Sequence, residues 1–261
     1  MDLKDQIRAG LQNQGFPIIP TGDWIQTALL NRTPVPPLPA LIASARARLL
    51  AADLTNPQVQ DISTAAALPA NLGSSVQVPE TRLPRSIVVQ VLDVENLSRS
   101  KWEQVEELEA VARGEQTRGR EIIRVPTATA DDEDAGVVDG TANSAATAQP
   151  PGRNRTGPGA GGGAAAAAVA ASRNSTHRLV LQDCRGQKVY GLELRRIERI
   201  ALGTLNIGEK ILLREGAVVA RGVIMLDPAS CTVLGGKVDA WQKAWNEGRL
   251  ARLKEAVGID R

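Results

Sequence analysis

Residues 208–236 read GEKILLREGAVVARGVIMLDPASCTVLGG, and this stretch decides the fold class of the protein. Short runs of aliphatic and β-branched residues alternate in it with turns that contain glycine or the pair Asp-Pro. This alternation is typical of strands that are joined by tight turns. We therefore predict three strands here, KILLR, RGVIML and CTVLGG, separated by turns at EGAV and DPAS.

More strands precede this stretch. Residues 177–196, HRLVLQDCRGQKVYGLELRR, contain two apolar runs around a short glycine turn and predict a β-hairpin. Residues 85–96, RSIVVQVLDVEN, predict the first strand of the set. Val238, Trp241 and Trp245 share one face of a predicted C-terminal helix, which should cover the strands. About five antiparallel strands with a helical cap are the arrangement of an OB barrel, whose closure removes the strand edges.

The region before the strands has a different pattern. From Met1 to about Ala52, apolar residues recur at helical spacing between Gly and Pro turns, so three short helices are expected. We assign residues 1–55 to an N-terminal helical unit, 56–84 to a polar connector along the surface, and 85–257 to the OB-fold domain. The predicted fold class is therefore α+β: a three-helix unit, then a small OB-fold β-barrel with a C-terminal helix.

A long insertion, residues 98–176, interrupts the predicted barrel. Apolar residues recur in its first part at the three-residue steps of a helix: Trp102, Val105, Leu108 and Val111. This stripe either packs on the barrel or forms an exposed anchor for a partner, and the sequence favours neither. The strand-like EIIRVP follows at 121–126. Residues 127–175 are of low complexity, and we predict that they are mostly disordered because they bury too little apolar area to offset their ordering entropy.

Side chains for catalysis or metal binding are scarce. His177 is the only histidine, so a histidine-based triad or metal site lacks partners, and a surface or structural role is expected. Cys184 and Cys231 lie far apart, which favours two buried thiols in a reducing compartment. The tract GPGAGGG is not followed by Gly-Lys-Ser/Thr, and the acidic run at 131–134 lacks the spacing of an EF-hand loop. We therefore predict no catalytic residue, cofactor or metal, and a protein that is not an enzyme.

The charge balance argues against strong attraction to nucleic acid or lipid, because 31 basic side chains face 29 acidic ones. OB barrels often bind single strands through aromatic platforms, and the candidates for weak contact of this kind are Tyr190, Arg195 and Arg196. A stand-alone single-stranded nucleic-acid-binding protein is thus the alternative function. The amino terminus lacks a signal-peptide pattern, and no apolar run reaches the ~20 residues of a membrane span. We expect an intracellular protein without membrane contact.

The chain resembles the RecQ-mediated genome instability protein 1 family. The resemblance is carried by Gly-x-Lys-Ile-Leu-Leu at Gly208 to Leu213, by Arg221-Gly222-Val223, and by Val233 to Gly236 before the last helix. The N-terminal helices with Trp24, and the stretch from Leu54 to Pro69, resemble the helical region of that family. Only the insertion falls outside the resemblance. The chain resembles the short, fungal members of the family, which have no second OB domain.

The resemblance implies a non-catalytic nuclear subunit that binds and regulates topoisomerase III in a RecQ helicase complex and promotes double Holliday junction dissolution. In the family, a loop between the first two barrel strands reaches into the topoisomerase gate. That position is held here by the insertion, and the role is carried over to its first part, 101–126. The implied partner-binding residues are Lys101, Trp102, Val105, Leu108, Val111, Ile122 and Ile123. DNA contact within the complex is expected to be weak.

Overall fold

The N-terminal unit of the protein is helical. A computed structural model describes residues 2–31, 33–70, 72–74, 76–114 and 175–258. Its first helices are α1 (Leu3–Asn13), α2 (Gly22–Ile25), which continues as a π-helical turn over Gln26–Leu30, and α3 (Leu38–Ala51). The Thr21 hydroxyl accepts a hydrogen bond from the Trp24 N–H and so begins α2. The predicted three-helix unit is confirmed.

Eight strands form a single curled sheet within the described residues. They are β1 (Thr81–Arg82), β2 (Ile87–Asn96), β3 (His177–Gln182), β4 (Lys188–Glu193), β5 (Lys210–Leu213), β6 (Val218–Ala220), β7 (Val223–Leu226) and β8 (Cys231–Gly235). The order across the sheet is β1-β6-β7-β4-β3-β2-β5-β8, and only β4 and β7 pair in parallel. The predicted OB fold is confirmed, with more strands than the five expected.

The sheet is a half-barrel rather than the closed barrel that we expected. The first half of β2 pairs with β5 and its second half with β3, and a bulge between Val91 and Asp93 bends the strand. In the described sheet, β1 and β8 are the two ends and do not pair with each other. Gly236, with φ +97°, turns the chain after β8 toward the C-terminal helix, α5 (Asp239–Val257). Helix α4 (Lys101–Ala112) lies between β2 and β3 in the chain. The expected helical cap is confirmed, because Trp241 and Trp245 pack, partly buried, against the barrel core.

The connector, residues 56–84, does not simply run along the surface. It contains β1, and several of its apolar side chains are buried in one of the two cores: Val59, Ala67, Leu68, Leu72 and Leu83. The Leu68 N–H also donates to the buried Asp183 carboxylate in the β3–β4 turn, at 2.9 Å. These side chains are spaced without a helical or strand period, which is why the sequence pattern did not indicate their burial.

Polar side chains join the helical unit to the sheet. The Gln90 amide on β2 donates to Asp53 at 2.7 Å, just after α3, and accepts from the Leu54 N–H at 3.0 Å. Lys210 on β5 pairs with Gln90 in register and is fully buried. At the end of β8, the backbone of Gly236 lies against the Leu50 carbonyl of α3. The two units therefore meet through backbone and buried polar groups, as well as through apolar contacts.

The first part of the insertion is a helix, as predicted. It is α4 (Lys101–Ala112), and it begins with a capping box in which the Ser100 hydroxyl accepts from the Glu103 N–H while the Glu103 carboxylate accepts from the Ser100 N–H. The strand-like segment 121–126 lies outside the described residues. So does the predicted disordered segment 127–175, except for its last residue. That residue, Ser175, is buried.

Candidate protein-binding site at the base of the insertion

The insertion leaves and re-enters the sheet at a single hydrogen-bonded point. The Leu97 N–H donates to the Thr176 carbonyl at 2.9 Å, and the Thr176 N–H donates to the Ser98 hydroxyl at 2.8 Å. Below them, Asn96 of β2 pairs with His177 of β3 in the ladder. Because both ends are held by the sheet, the residues next to them have defined positions.

Helix α4 is held in place by α5 and by the base of the insertion. The Gln104 side chain is buried, and its amide donates to the carbonyls of Asn96 and Arg99, both at 3.2 Å. On the other side, Lys254 of α5 forms an ion pair with Glu109 at 2.7 Å. The hydrogen bond and charge of Lys254 lower the pKa of Glu109 below its ordinary value. One face of α4 is thus fixed, and the other faces solvent.

The apolar stripe of α4 is divided between these two faces. Val105 is buried, whereas Trp102 is 53% exposed and its indole N–H donates to the Glu106 carboxylate at 2.8 Å. Lys101 is half-buried and lies 3.6 Å from Glu95 of β2. Val105 therefore agrees with the interpretation of the stripe as a packed helix, and Trp102 agrees with its interpretation as an exposed anchor. Ile122 and Ile123 lie outside the described residues.

Leu108 and Val111 are half-buried in the wall of a cleft of about 440 Å³ beside α4. The loop 201–203 and Arg249 of α5 also line this cleft. Ser175 and His177 also line it. The structure thus brings Leu108 and Val111 together with the base of the insertion, and it places Trp102 on the outside of the same helix.

His177 belongs to a buried polar network behind this cleft. Its Nδ1 lies 2.8 Å from the Glu193 carboxylate, which also accepts from the His177 N–H at 3.1 Å and the Ile197 N–H at 2.7 Å. Arg196 completes the network by donating to Glu193 at 3.1 Å and to the Ile200 carbonyl at 2.6 Å. The structural role expected for the histidine is confirmed. The pairing with Glu193 was not foreseen, since the two residues meet only across the β3–β4 hairpin.

The pKa of Glu193 reflects this network. Burial raises it, but the hydrogen bonds from His177 and Ile197 and the charges of His177 and Arg196 outweigh burial, so the pKa lies below its ordinary value of 4.5. A carboxyl whose pKa is lower in the folded state contributes stability above the unfolded-state pKa and loses it as the pH falls. This contribution should therefore disappear below pH 4.5, as the pH passes through the folded-state pKa.

Glu193→Gln should lower the free energy of unfolding at neutral pH by about 2 kcal/mol, because an amide cannot accept all of these hydrogen bonds. It should also reduce the loss of stability that is expected of the wild-type protein below pH 4.5. Urea denaturation over the acidic range measures both effects. Glu198→Gln is the matched control, because Glu198 is exposed. If the two variants behave alike, the network does not stabilise the fold.

The candidates for nucleic-acid contact lie on a different surface. Tyr190 of β4 is 49% exposed, and the guanidinium of Arg178 lies 5.0 Å from its ring centroid. Arg195 is exposed just beyond β4, whereas the guanidinium of Arg196 is bound in the Glu193 network. The structure thus brings Tyr190 near a basic side chain that the sequence did not single out, Arg178, and it holds Arg196 in the interior network.

Neither a metal-type cluster nor a helix that could cross a membrane lies within residues 2–31, 33–70, 72–74, 76–114 and 175–258, which include both cysteines. These residues contain no cluster of three or more His, Cys, Asp or Glu side chains able to hold a metal ion. Cys184 and Cys231 are free and buried, as predicted, and burial raises the pKa of both thiols, to about 11 for Cys231. In the same residues, every helix is too short or too polar to cross a membrane.

Known proteins share this OB domain. The family model described as "RMI1, N-terminal OB-fold domain" matches residues 68–249, which include the sheet, α4 and most of α5. RecQ-mediated genome instability protein 1 of Schizosaccharomyces pombe is 28% identical over 169 residues, or 65% of this chain and 63% of that relative. The chain therefore spans less than two thirds of the relative's length. Since the family model covers more than half of the chain, and the half-barrel with its insertion is the matched region, the protein belongs to the RMI1 family of OB-fold proteins.

Proposed function

We propose that this protein is a non-catalytic nuclear subunit with a role in genome stability linked to a RecQ-family helicase. In this proposal it binds and regulates topoisomerase III, and so promotes double Holliday junction dissolution. Family membership supports the link to genome stability, because the relative in S. pombe is named for RecQ-mediated genome instability.

The observation that carries the proposal is the geometry of α4 at the insertion base. Trp102 and Leu97 are 53% and 46% exposed next to a point where the backbone is hydrogen-bonded on both sides. Protein interfaces depend on a few aromatic anchors, and an anchor on a rigid support loses less entropy when it binds. The partner-binding residues that we propose are Lys101, Trp102, Val105, Leu108, Val111, Ile122 and Ile123, and Val105 acts by packing α4 in place.

Trp102→Ala should weaken binding to purified topoisomerase III at least tenfold, which is about 1.4 kcal/mol, a modest value for an interface tryptophan. Calorimetric titration of the full chain measures this effect. Val35→Ala is the control, because Val35 is 50% exposed but lies in the helical unit. Circular dichroism and urea denaturation establish that the Trp102 variant keeps the helix content and the stability of the wild type. Equal affinity of both variants would argue against an anchor at Trp102.

Replacing residues 115–174 by a short Gly-Ser linker tests the insertion itself and leaves α4 in place. We expect the shortened protein to lose its effect on decatenation by topoisomerase III, measured on linked DNA circles. An unrelated linker insertion in the turn after β5, at the exposed Glu215, is the control. If the full chain does not associate with topoisomerase III, or the shortened protein supports decatenation fully, the proposed function is wrong.

A further inference from the structure

The outer face of the sheet carries an apolar surface that belongs to neither hydrophobic core. Alternate residues of β3, β4 and β7 point into the barrel core, among them Leu179, Val189 and Ile224. The residues between them point outward, half-buried or exposed, and with Leu194 just after β4 we call them the outer patch: Val180, Tyr190, Leu192, Leu194, Val223 and Met225.

The register of the strands makes this patch continuous. Val180 lies opposite Tyr190, which in turn lies opposite Val223, and Leu192 lies opposite Met225. Tyr190 is 49% and Leu194 63% exposed. Residues in register on one face of a sheet are close enough to act as one surface. The patch therefore spans three adjacent strands, which is about 10 Å at the usual strand spacing.

Three cationic residues flank the strands of the outer patch in the chain, and no ion pair is formed by them among the described residues. Lys188 precedes Tyr190 by two residues, Arg195 follows Leu194, and Arg221 precedes Val223 by two residues. All three are exposed, and none forms an ion pair with another described residue. These charges are free to attract an acidic ligand over roughly a Debye length, about 8 Å at physiological salt.

The acidic side chains beside the patch are already used within the fold. Asp93 pairs with Val180 in register, and its carboxylate accepts from the Trp245 indole N–H at 2.6 Å. The Glu95 carboxylate forms ion pairs with Arg178 and Lys101. Together with α5, these residues line a groove of about 180 Å³ at the β2 side of the patch. The acids of the groove are thus bound to Trp245, Arg178 and Lys101, and they do not cancel the cationic rim.

We infer that the outer patch binds an acidic amphipathic helix of a partner protein. A nucleic acid fits the surface less well, because the patch has one aromatic ring, and Arg178 lies 5.0 Å over it where a base would stack. An extended peptide fits less well too. In the sheet, β4 is paired with β7 on one side and with β3 on the other, so an added strand finds no free backbone groups there.

A helix fits both the apolar surface and the paired strands beneath it. It satisfies its own backbone hydrogen bonds, and its diameter of about 10 Å matches the width of the patch. Leucine-type side chains on one face would contact Leu192, Leu194 and Met225, while aspartate or glutamate on the flanks would meet the cationic rim. This inference does not depend on the insertion or on topoisomerase III.

The test is fluorescence anisotropy of the full chain with three labelled probes. One is a helical peptide with leucine on one face and glutamate on the other, the second has lysine in place of glutamate, and the third is oligothymidine. We expect only the glutamate peptide to bind appreciably. Leu194→Glu and Arg195→Glu should each weaken it about tenfold, because a hot-spot side chain or a desolvated charge contributes this much.

Ile19→Glu is the matched control, since Ile19 is 45% exposed but lies in the helical unit. It should leave the affinity unchanged, and urea denaturation establishes that all variants fold. Three results would overturn the inference: no binding of the glutamate peptide, equal binding of the lysine peptide, or loss of binding in the Ile19 variant. Tighter binding of oligothymidine, lost in the same patch variants, would assign the surface to nucleic acid instead. The insertion-shortened protein should still bind the glutamate peptide.

Discussion

Gly236→Ala is expected to lower the free energy of unfolding by roughly 4 kcal/mol, one of the largest effects of any single substitution in this protein. Gly236 has φ +97°, and a Cβ atom added there would lie 2.2 Å from the Leu50 carbonyl oxygen of α3. Both atoms are held by backbone, so the clash cannot be relieved by a rotamer change. Helix α3 would have to move away from the end of β8.

Urea denaturation measures this loss, and Gly216→Ala is its control. Gly216 also has a positive φ, +81°, but no atom lies within 4 Å of the Cβ that alanine would add. Its substitution should therefore cost only the strain of the backbone, about 1 kcal/mol. If Gly236→Ala costs no more than Gly216→Ala, then the helical unit does not need its close approach to the sheet. A larger loss for Gly236→Ala than for Gly216→Ala would mean that the helical unit and the sheet stabilise each other.

The second large effect is a rise in stability between pH 8 and 10.5, caused by Lys210. Its side chain is fully buried on β5, where the ammonium group donates to the Gly208 carbonyl at 2.5 Å. Burial lowers the pKa from 10.5 to about 8, although the nearby charges of Asp53 and Glu209 partly offset it. A buried lysine thus loses its proton near pH 8 in the folded protein.

The sign follows from proton binding. Between pH 8 and 10.5 the unfolded chain keeps the Lys210 proton and the folded protein does not, so the free energy of unfolding rises with pH. At about 1.4 kcal/mol for each pKa unit, the rise is roughly 3 kcal/mol. Cys231 acts in the opposite direction above pH 9, because burial raises its pKa to about 11 and the folded state then binds more protons.

Lys210→Met separates these contributions, because the cysteines are the same in both proteins. The difference in unfolding free energy between wild type and variant should change by about 3 kcal/mol from pH 8 to 10.5. Lys188→Met, at an exposed lysine, should show no such change. Chemical denaturation at several pH values measures it. Parallel curves for wild type and Lys210→Met would show that Lys210 keeps its proton despite its burial.

Local patterns were sufficient for much of the architecture. The turns around Gly186 and the Asp-Pro pair separated strands that the structure confirms, and the stripe with Trp241 and Trp245 identified the helix that covers the core. These features can be read from sequence because the side-chain periods of helices and strands are local properties. The same holds for the beginning of α4, where Ser100 and Glu103 form a capping box within three residues.

Tertiary structure alone decided the features that join distant residues. β1 pairs with β6 across more than a hundred residues, and His177 meets Glu193 only because β3 and β4 are in one register. A lysine in a strand gives no sign of burial, so the sequence did not distinguish Lys210, which is fully buried where β5 pairs with β2 and β8, from a surface residue. The outer patch likewise depends on three strands placing their outward residues side by side. The sequence by itself determined the helices, most of the strands and the family. Strand register and packing determined which side chains face each other, because pairing energies act between residues that are close only in the folded chain.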